Sequence, residues 1–285
     1  MTGTAGLSVS VTVRARRAYL LSRGRCLQSV MTSLASQMST TVNGLRRQVQ
    51  RHGWLRLPAH RQADKGVKPP PYLPIYEQLL GPMRRRAFTL LELGVWGGHS
   101  LEMWRDAFPR ATIIGVDLDP PDAHFGHRVH VIQGDQADAA LMRRVRETHA
   151  PKGFDVIIDD ASHLGVTTAR SLQALYREHL RPGGIYCIED WGTGYLTDWH
   201  DGGPIAARLD VKDIDSVTET MQSETATPIP MPSHDIGTVG LMKRLIDHTA
   251  SGTVRWAQPD AVDEVLPIES MTVWDGIVVL RKPDA

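Results

Sequence analysis

From Phe88 to Glu189 the chain repeats one unit: an apolar run of about six residues, a polar turn, then apolar residues at helical spacing. Short apolar runs of this kind are buried on both faces, and runs separated by helices form parallel sheets with helices on either side. The pattern predicts strands at Phe88–Leu93, Thr112–Asp117, Arg128–Gln133, Phe154–Asp159 and Gly184–Glu189. Helices are expected at Ser100–Phe108, at Ala139–Thr148 and around Val166–Tyr176, with shorter helical patterns at 73–85 and Asp235–His248. Strand-like runs follow near Thr253–Trp256 and Thr272–Leu280. The fold class is therefore α/β, a doubly wound Rossmann-like sheet.

Outside this core the chain is less regular. Residues 1–63 hold ten arginines and no acidic residue, so the balance to a net charge of zero falls on the remainder. With little aromatic interleaving for base stacking, the basic arm reads as an irregular extension rather than a nucleic-acid grip. A later start at Met31 or Met38 is compatible with that reading. Lys68-Pro69-Pro70-Pro71 is a stiff linker, giving an expected division into an extension at 1–70 and a domain at 71–285. Residues 192–232 are rich in Gly, Pro, Thr and Asp and are expected to form a lid. No apolar run approaches the roughly 20 residues that span a bilayer. Two cysteines, Cys26 and Cys187, form no metal-ligand spacing or disulfide framework, which suits the cytoplasm.

In a doubly wound sheet the ligand lies beyond the carboxyl ends of the strands, so those ends carry the functional reading. The first ends in Glu92-Leu93-Gly94-Val95-Trp96-Gly97-Gly98-His99-Ser100, where Gly94 and Gly97 let backbone approach a ligand. The second ends in Asp117, placed to accept ribose hydroxyls, and the third in Gly134-Asp135-Gln136, where Asp135 could accept from an adenine amino group. Each carboxylate alone could be a turn or cap residue. Three in register point to a nucleoside. Glu92 before the glycine loop, with no Arg or Lys inside it, favours S-adenosylmethionine (SAM) over a dinucleotide, whose phosphates would need a home there.

The fourth and fifth strands run into Asp159-Asp160-Ala161-Ser162-His163 and Glu189-Asp190-Trp191. Carboxylates crowded at one sheet edge repel unless a cation sits among them, and hard oxygen donors suit Mg2+ or Mn2+. Asp160, Glu189 and Asp190 are assigned to the metal, and Asp159 to the methyl-donor side. The competing reading has these acids cap helices or pair with Arg170 and Arg181. His163, three residues after Asp160, is the candidate base, because an imidazole titrating near pH 6.5 can take a proton from a metal-polarised hydroxyl. Such a metal would hold vicinal oxygens of the acceptor and aim one at the methyl group.

With these motifs the chain resembles the metal-dependent SAM O-methyltransferases that act on sugar hydroxyls of natural products, of the mycinamicin and macrocin type. The likeness covers about 72–282 and rests on the strand-1 loop, the Asp-Asp-Ala-Ser-His box and Ile188-Glu189-Asp190-Trp191. It implies the class I SAM-methyltransferase sheet, on which the strand-end reading expects contacts to SAM from Glu92, Gly94, Gly97, Ser100, Asp117, Asp135, Gln136 and Asp159. It further implies metal ligation by Asp160, Glu189 and Asp190, and His163 as base. The implied acceptor is a small molecule or glycan with vicinal hydroxyls: a natural-product glycoside, a glycolipid or a polysaccharide. Whether the chain forms a homo-oligomer is not carried over, since the basic arm is not part of the likeness.

Three other classes compete. A catechol-type O-methyltransferase shares fold, donor and metal, but phenols ionise near pH 10 and a lysine base suffices there; this box offers a histidine. A non-catalytic SAM- or nucleotide-binding module would bind without transfer. A nucleic-acid methyltransferase is disfavoured by the absence of an Asn-Pro-Pro-Tyr pocket and by Asp159-Asp160, which would repel phosphates.

Overall fold

Five parallel strands form the centre of the sheet: β1 (Thr89–Leu93), β2 (Thr112–Asp117), β3 (Val129–Gln133), β4 (Phe154–Asp159) and β5 (Leu180–Glu189). An antiparallel hairpin, β6 (Ser270–Val273) and β7 (Ile277–Arg281), closes one edge, giving the order β3-β2-β1-β4-β5-β7-β6. The computed structural model describes residues 54, 55, 65, 72–196, 199–202, 234–258 and 265–284. The basic arm and most of the expected lid lie outside the described residues. The chain divides into units Met1–Gly53 and Trp54–Ala285, and everything below concerns the second.

Pleating sends alternate residues to opposite faces of the sheet. On one face Leu90, Ile113, Val156, Ile158, Ile185 and Cys187 pack beneath α1 (Leu73–Leu80) and α2 (His99–Ala107), which contribute Tyr76, Leu80, Leu101 and Trp104. On the other, Leu91, Leu93, Ile114, Ile157, Tyr186 and Ile188 meet α3 (Ala139–His149), α4 (Gly165–Tyr176) and α5 (Gly237–Thr249). Each of these large side chains contributes roughly 1.5–3 kcal/mol by leaving water. Leu101, Trp104 and Phe108 fall at i, i+3 and i+7, the spacing that lays one helical stripe on a sheet. The Asp138 carboxylate accepts from the N–H groups of Ala140 and Leu141, which starts α3.

The expected strands and helices of the core are present, with shifted ends. Thr253–Trp256 is a correction: it lies in α6 (Ser251–Ala257), which follows directly from α5 at Ala250. Its β-branched and aromatic residues suggested a strand, but the helical backbone of Ala250 carries on into them, and Trp256 is exposed. The run Thr272–Leu280 is a hairpin, turned at Gly276 with φ +82°, rather than one strand.

The folded unit reaches further back than the proline-rich linker suggested. Trp54 meets Phe108 edge-on at 5.6 Å, Leu55 is buried and its N–H donates to Glu77 Oε1 at 2.7 Å, and Lys65 is buried as well. At the start of α4, Gly165 and Gly237 pass so closely that a Cβ on Gly165 would lie 2.3 Å from the Gly237 backbone. Asp201 joins that crossing: its Oδ2 accepts from the Gly165 N–H at 2.7 Å, and its carbonyl leaves no room for a side chain on Gly237. No described helix is long and apolar enough to cross a membrane.

Candidate active site

A cleft of about 690 Å3 opens at the carboxyl ends of β1–β4, within the size range of small-molecule sites. Gly94, Gly97, Ser100, Asp117, Asp135 and Gln136 line it, as do Asp160 and His163. The glycine loop is shaped by close approach. Gly94 has φ +85°, and a Cβ there would lie 2.2 Å from the Asp160 carbonyl oxygen. Only a residue without a side chain lets the β1 and β4 loops touch.

Asp117 holds that loop from the side. Its Oδ2 accepts from the N–H groups of Val95 at 2.6 Å and Trp96 at 2.9 Å, and its Oδ1 from Asp119 at 2.9 Å. Burial pushes its pKa up, but the backbone donors of Trp96, Asp119 and Val95 outweigh burial and leave it below the usual carboxylate range. One Asp135 oxygen accepts from the Ala137 N–H in a local turn.

Register explains the acids at the next two tips. Asp159 pairs with Ile188 across β4 and β5, so both face the α3–α5 side. Asp159 therefore departs from expectation. It is buried outside the cleft lining, accepting from Gln136 Nε2 at 2.9 Å and Tyr186 OH at 2.9 Å. Burial raises its pKa to about 7. Gln136 is a bracket here: it also donates to Ser171 and accepts from the Ser162 N–H, fixing the start of the β4 loop.

One residue on, the pleat reverses. Asp160 follows Asp159, and Glu189 follows Ile188, so both turn toward the face that also holds Glu92 on β1. Glu92 is fully buried and lies outside the cleft lining, accepting from Ser100 Oγ at 2.8 Å. The cation among these acids is Lys65. Its Nζ lies 2.5 Å from Asp160 Oδ2, 2.7 Å from Glu189 Oε1 and 3.4 Å from Glu92 Oε1, with 1 % of the side chain exposed. Burial alone would discharge this amine, but Asp160, Glu189 and Glu92 outweigh it and raise its pKa above the ordinary lysine value. Tyr76 OH donates to Glu189 Oε1 and Tyr72 OH to Asp190 Oδ1, each at 2.5 Å. Arg181 pairs with Asp155 instead of the tip acids.

The outer side of the cluster is more open. His163 Nε2 stands 3.8 Å from Asp160 Oδ1 and 3.6 Å from Asp190 Oδ2, too far for hydrogen bonds yet facing both. Asp160, His163 and Asp190 each bring one ligand-capable atom within 4.8 Å of the others. The donor set fits a hard divalent cation: carboxylate oxygens converge, and on their inner side the fold itself uses a positive charge to hold them together.

Among the described residues, the non-glycine positions with positive φ are Trp96, His163 and Asp190, all at this site. Such backbones cost of order 1–3 kcal/mol each and persist only where neighbours enforce them. For His163 the enforcers are Thr193 Oγ1 and Trp199 Nε1, both donating to its carbonyl at 3.2 Å. Lys65, Tyr72, Tyr76, Thr193 and Trp199 escaped the sequence reading. Tyr72 and Tyr76 fall four residues apart, one helical turn, and this spacing was the available signal.

Known proteins resemble this chain over the part that carries the cleft. Residues 91–191 match the family profile described as a methyltransferase domain. The chain is 38% identical over 162 residues to the 8-demethyl-8-(2-methoxy-alpha-L-rhamnosyl)-tetracenomycin-C 3'-O-methyltransferase of Streptomyces olivaceus, covering 54% of this chain and 40% of that protein. It is 39% identical over 131 residues to the mycinamicin VI 2''-O-methyltransferase of Micromonospora griseorubida, covering 44% and 32%. It thus spans well under half the length of these relatives. A solved structure of the MycE methyltransferase of the mycinamycin pathway, with Mg, SAH and mycinamycin VI, aligns at a TM-score of 0.53 and 30% identity, over 75% of this chain and 50% of that one. The chain thus carries a methyltransferase domain on the class I SAM-methyltransferase fold and is homologous to sugar O-methyltransferases that act on tetracenomycin and mycinamicin compounds.

Proposed function

We propose that this protein transfers the methyl group of SAM to a hydroxyl of a sugar on a natural product, glycolipid or polysaccharide, with the help of Mg2+ or Mn2+. The observation that carries the reading is the meeting of Asp160, His163 and Asp190 beside a cleft that Asp160, His163 and the glycine loop line. The relatives' sugar acceptors and the Mg and SAH of the MycE complexes support it.

SAM is proposed to lie along Gly94, Gly97 and Ser100, with Asp117 and Asp135 at its nucleoside end. Gln136 lines the cleft beside them, and Glu92 and Asp159 act from behind its wall, setting its shape. Asp160 and Asp190 are the open metal ligands. Glu189 completes the proposed oxygen set from the inner side, where Lys65 and Tyr76 now engage it. A bound divalent ion supplies Lewis acidity that makes a coordinated hydroxyl easier to ionise. His163 takes the hydroxyl proton on Nε2 as the acceptor oxygen forms its bond to the methyl carbon and the carbon–sulfur bond breaks. A second reading has His163 as a metal ligand beside Asp160 and Asp190, favoured by its place within 4.8 Å of the two acids.

The test is transfer of labelled methyl from SAM across a panel of glycosides, glycolipids and catechols, in EDTA and after Mg2+ is restored. Methylation of a sugar hydroxyl that EDTA abolishes and Mg2+ restores is the expected result. Exclusive methylation of catechols, or indifference to EDTA, would replace the acceptor or the metal assignment.

A further inference from the structure

The acid cluster has two potential cations and one set of oxygens. Lys65 Nζ contacts Asp160 Oδ2 and Glu189 Oε1, and both residues belong to the proposed metal set. An ammonium is a compact point charge whose three protons can each meet an oxygen. In this structure it does for Asp160 and Glu189, from a burial of 99 % or more, what a metal ion would do for them.

We propose that Lys65 is a built-in competitor of the divalent cation and sets how weakly the cluster binds it; the inference rests on the metal site proposed above. If Lys65 yields Glu189 to an incoming ion, the broken ion pairs oppose binding. If it stays, its charge repels the ion through the shared Asp160 carboxylate. Both routes have the same sign: affinity for the ion is lower with the ammonium in place.

The competitor is also tied to its own chain segment. The Lys65 carbonyl accepts from the Tyr72 N–H at 3.1 Å, and Tyr72 OH donates to Asp190, the remaining acid of the metal set. Residues preceding α1 therefore touch all three proposed oxygen ligands. Metal affinity in this protein depends on a segment that lies outside the matched methyltransferase domain at 91–191.

The experiment is calorimetric titration of Mg2+, and of Mn2+ followed by electron paramagnetic resonance, into the full chain without SAM. Lys65→Met is expected to bind either ion at least tenfold more tightly than the wild type, and Lys65→Arg within about threefold of it. A lysine that merely supported the fold would give weaker binding on removal, the opposite direction. Should Lys65→Met fail to fold, the double variant Lys65→Met/Glu92→Gln removes one negative charge along with the positive one. It leaves the proposed ligands intact and is expected to show the same tightening. Unchanged or weaker binding in a folded Lys65→Met or in the double variant overturns the competitor role. Failure of the wild type and of every folded variant to bind either ion overturns the metal site as well, so the two failures are distinct.

Discussion

The two ends of the cleft are held together in different ways. On the side proposed for the nucleoside, Asp117 and Asp135 are satisfied by backbone N–H groups within their own loops and the adjoining one. On the acid side, Asp160, Glu189 and Asp190 are satisfied by side chains from a distant stretch: Lys65, Tyr72 and Tyr76. Backbone donors come with the turn and follow from local sequence. Side-chain donors depend on where another part of the chain docks. The first end is built from short motifs, the second from tertiary structure.

The largest effect is expected at the acid end. His163→Ala should lower turnover by about a thousandfold, within the range for a lost general base, while SAM affinity by calorimetry changes less than twofold. Metal affinity is the deciding second reading. If it is kept, His163 is the base; if it collapses with turnover, His163 is a ligand.

Next comes the residue that joins the ends. Gly94→Ala should cost about 3 kcal/mol or more in denaturant unfolding, because its Cβ would overlap the Asp160 carbonyl while the backbone sits at φ +85°. Loss of both SAM and metal binding is expected, and retention of either would show that the two loops are less coupled than their contact suggests.

Asp117→Asn keeps the shape of its carboxylate and loses the charge that strengthens its hydrogen bonds. SAM affinity should fall about tenfold, with metal affinity unchanged. A matching fall in metal affinity would erase the division between the ends. The smallest effect is expected for Tyr72→Phe, which takes one donor from Asp190: about 1 kcal/mol in stability, and a change in metal affinity of a few-fold with SAM binding intact.

The same contrast accounts for what could be read from sequence. The strands and the cleft-lining residues Gly94, Asp117, Asp135, Asp160 and His163 were legible because each sits on a short motif with its own periodicity or turn chemistry. Asp159 was expected on the methyl-donor side, whereas alternation along β4 puts it beside Ile157, facing away from Asp160. Lys65 was not legible. Neither spacing nor composition marks a lone lysine before a proline-rich stretch as the partner of acids 95 and 124 residues later. The strand expected near Thr253 failed for a related reason, since composition there favoured a strand and chain continuity from α5 decided the matter.

The crossing of Gly165 and Gly237 also bears on the imidazole. Asp201 is fastened to the same spot, its Oδ2 on the Gly165 N–H and its backbone against Gly237. Gly165 opens α4 two residues after His163, so three stretches of chain are knotted close to the candidate base. A side chain at either glycine would push that knot apart, and the strain would fall first on the turn that carries the ring.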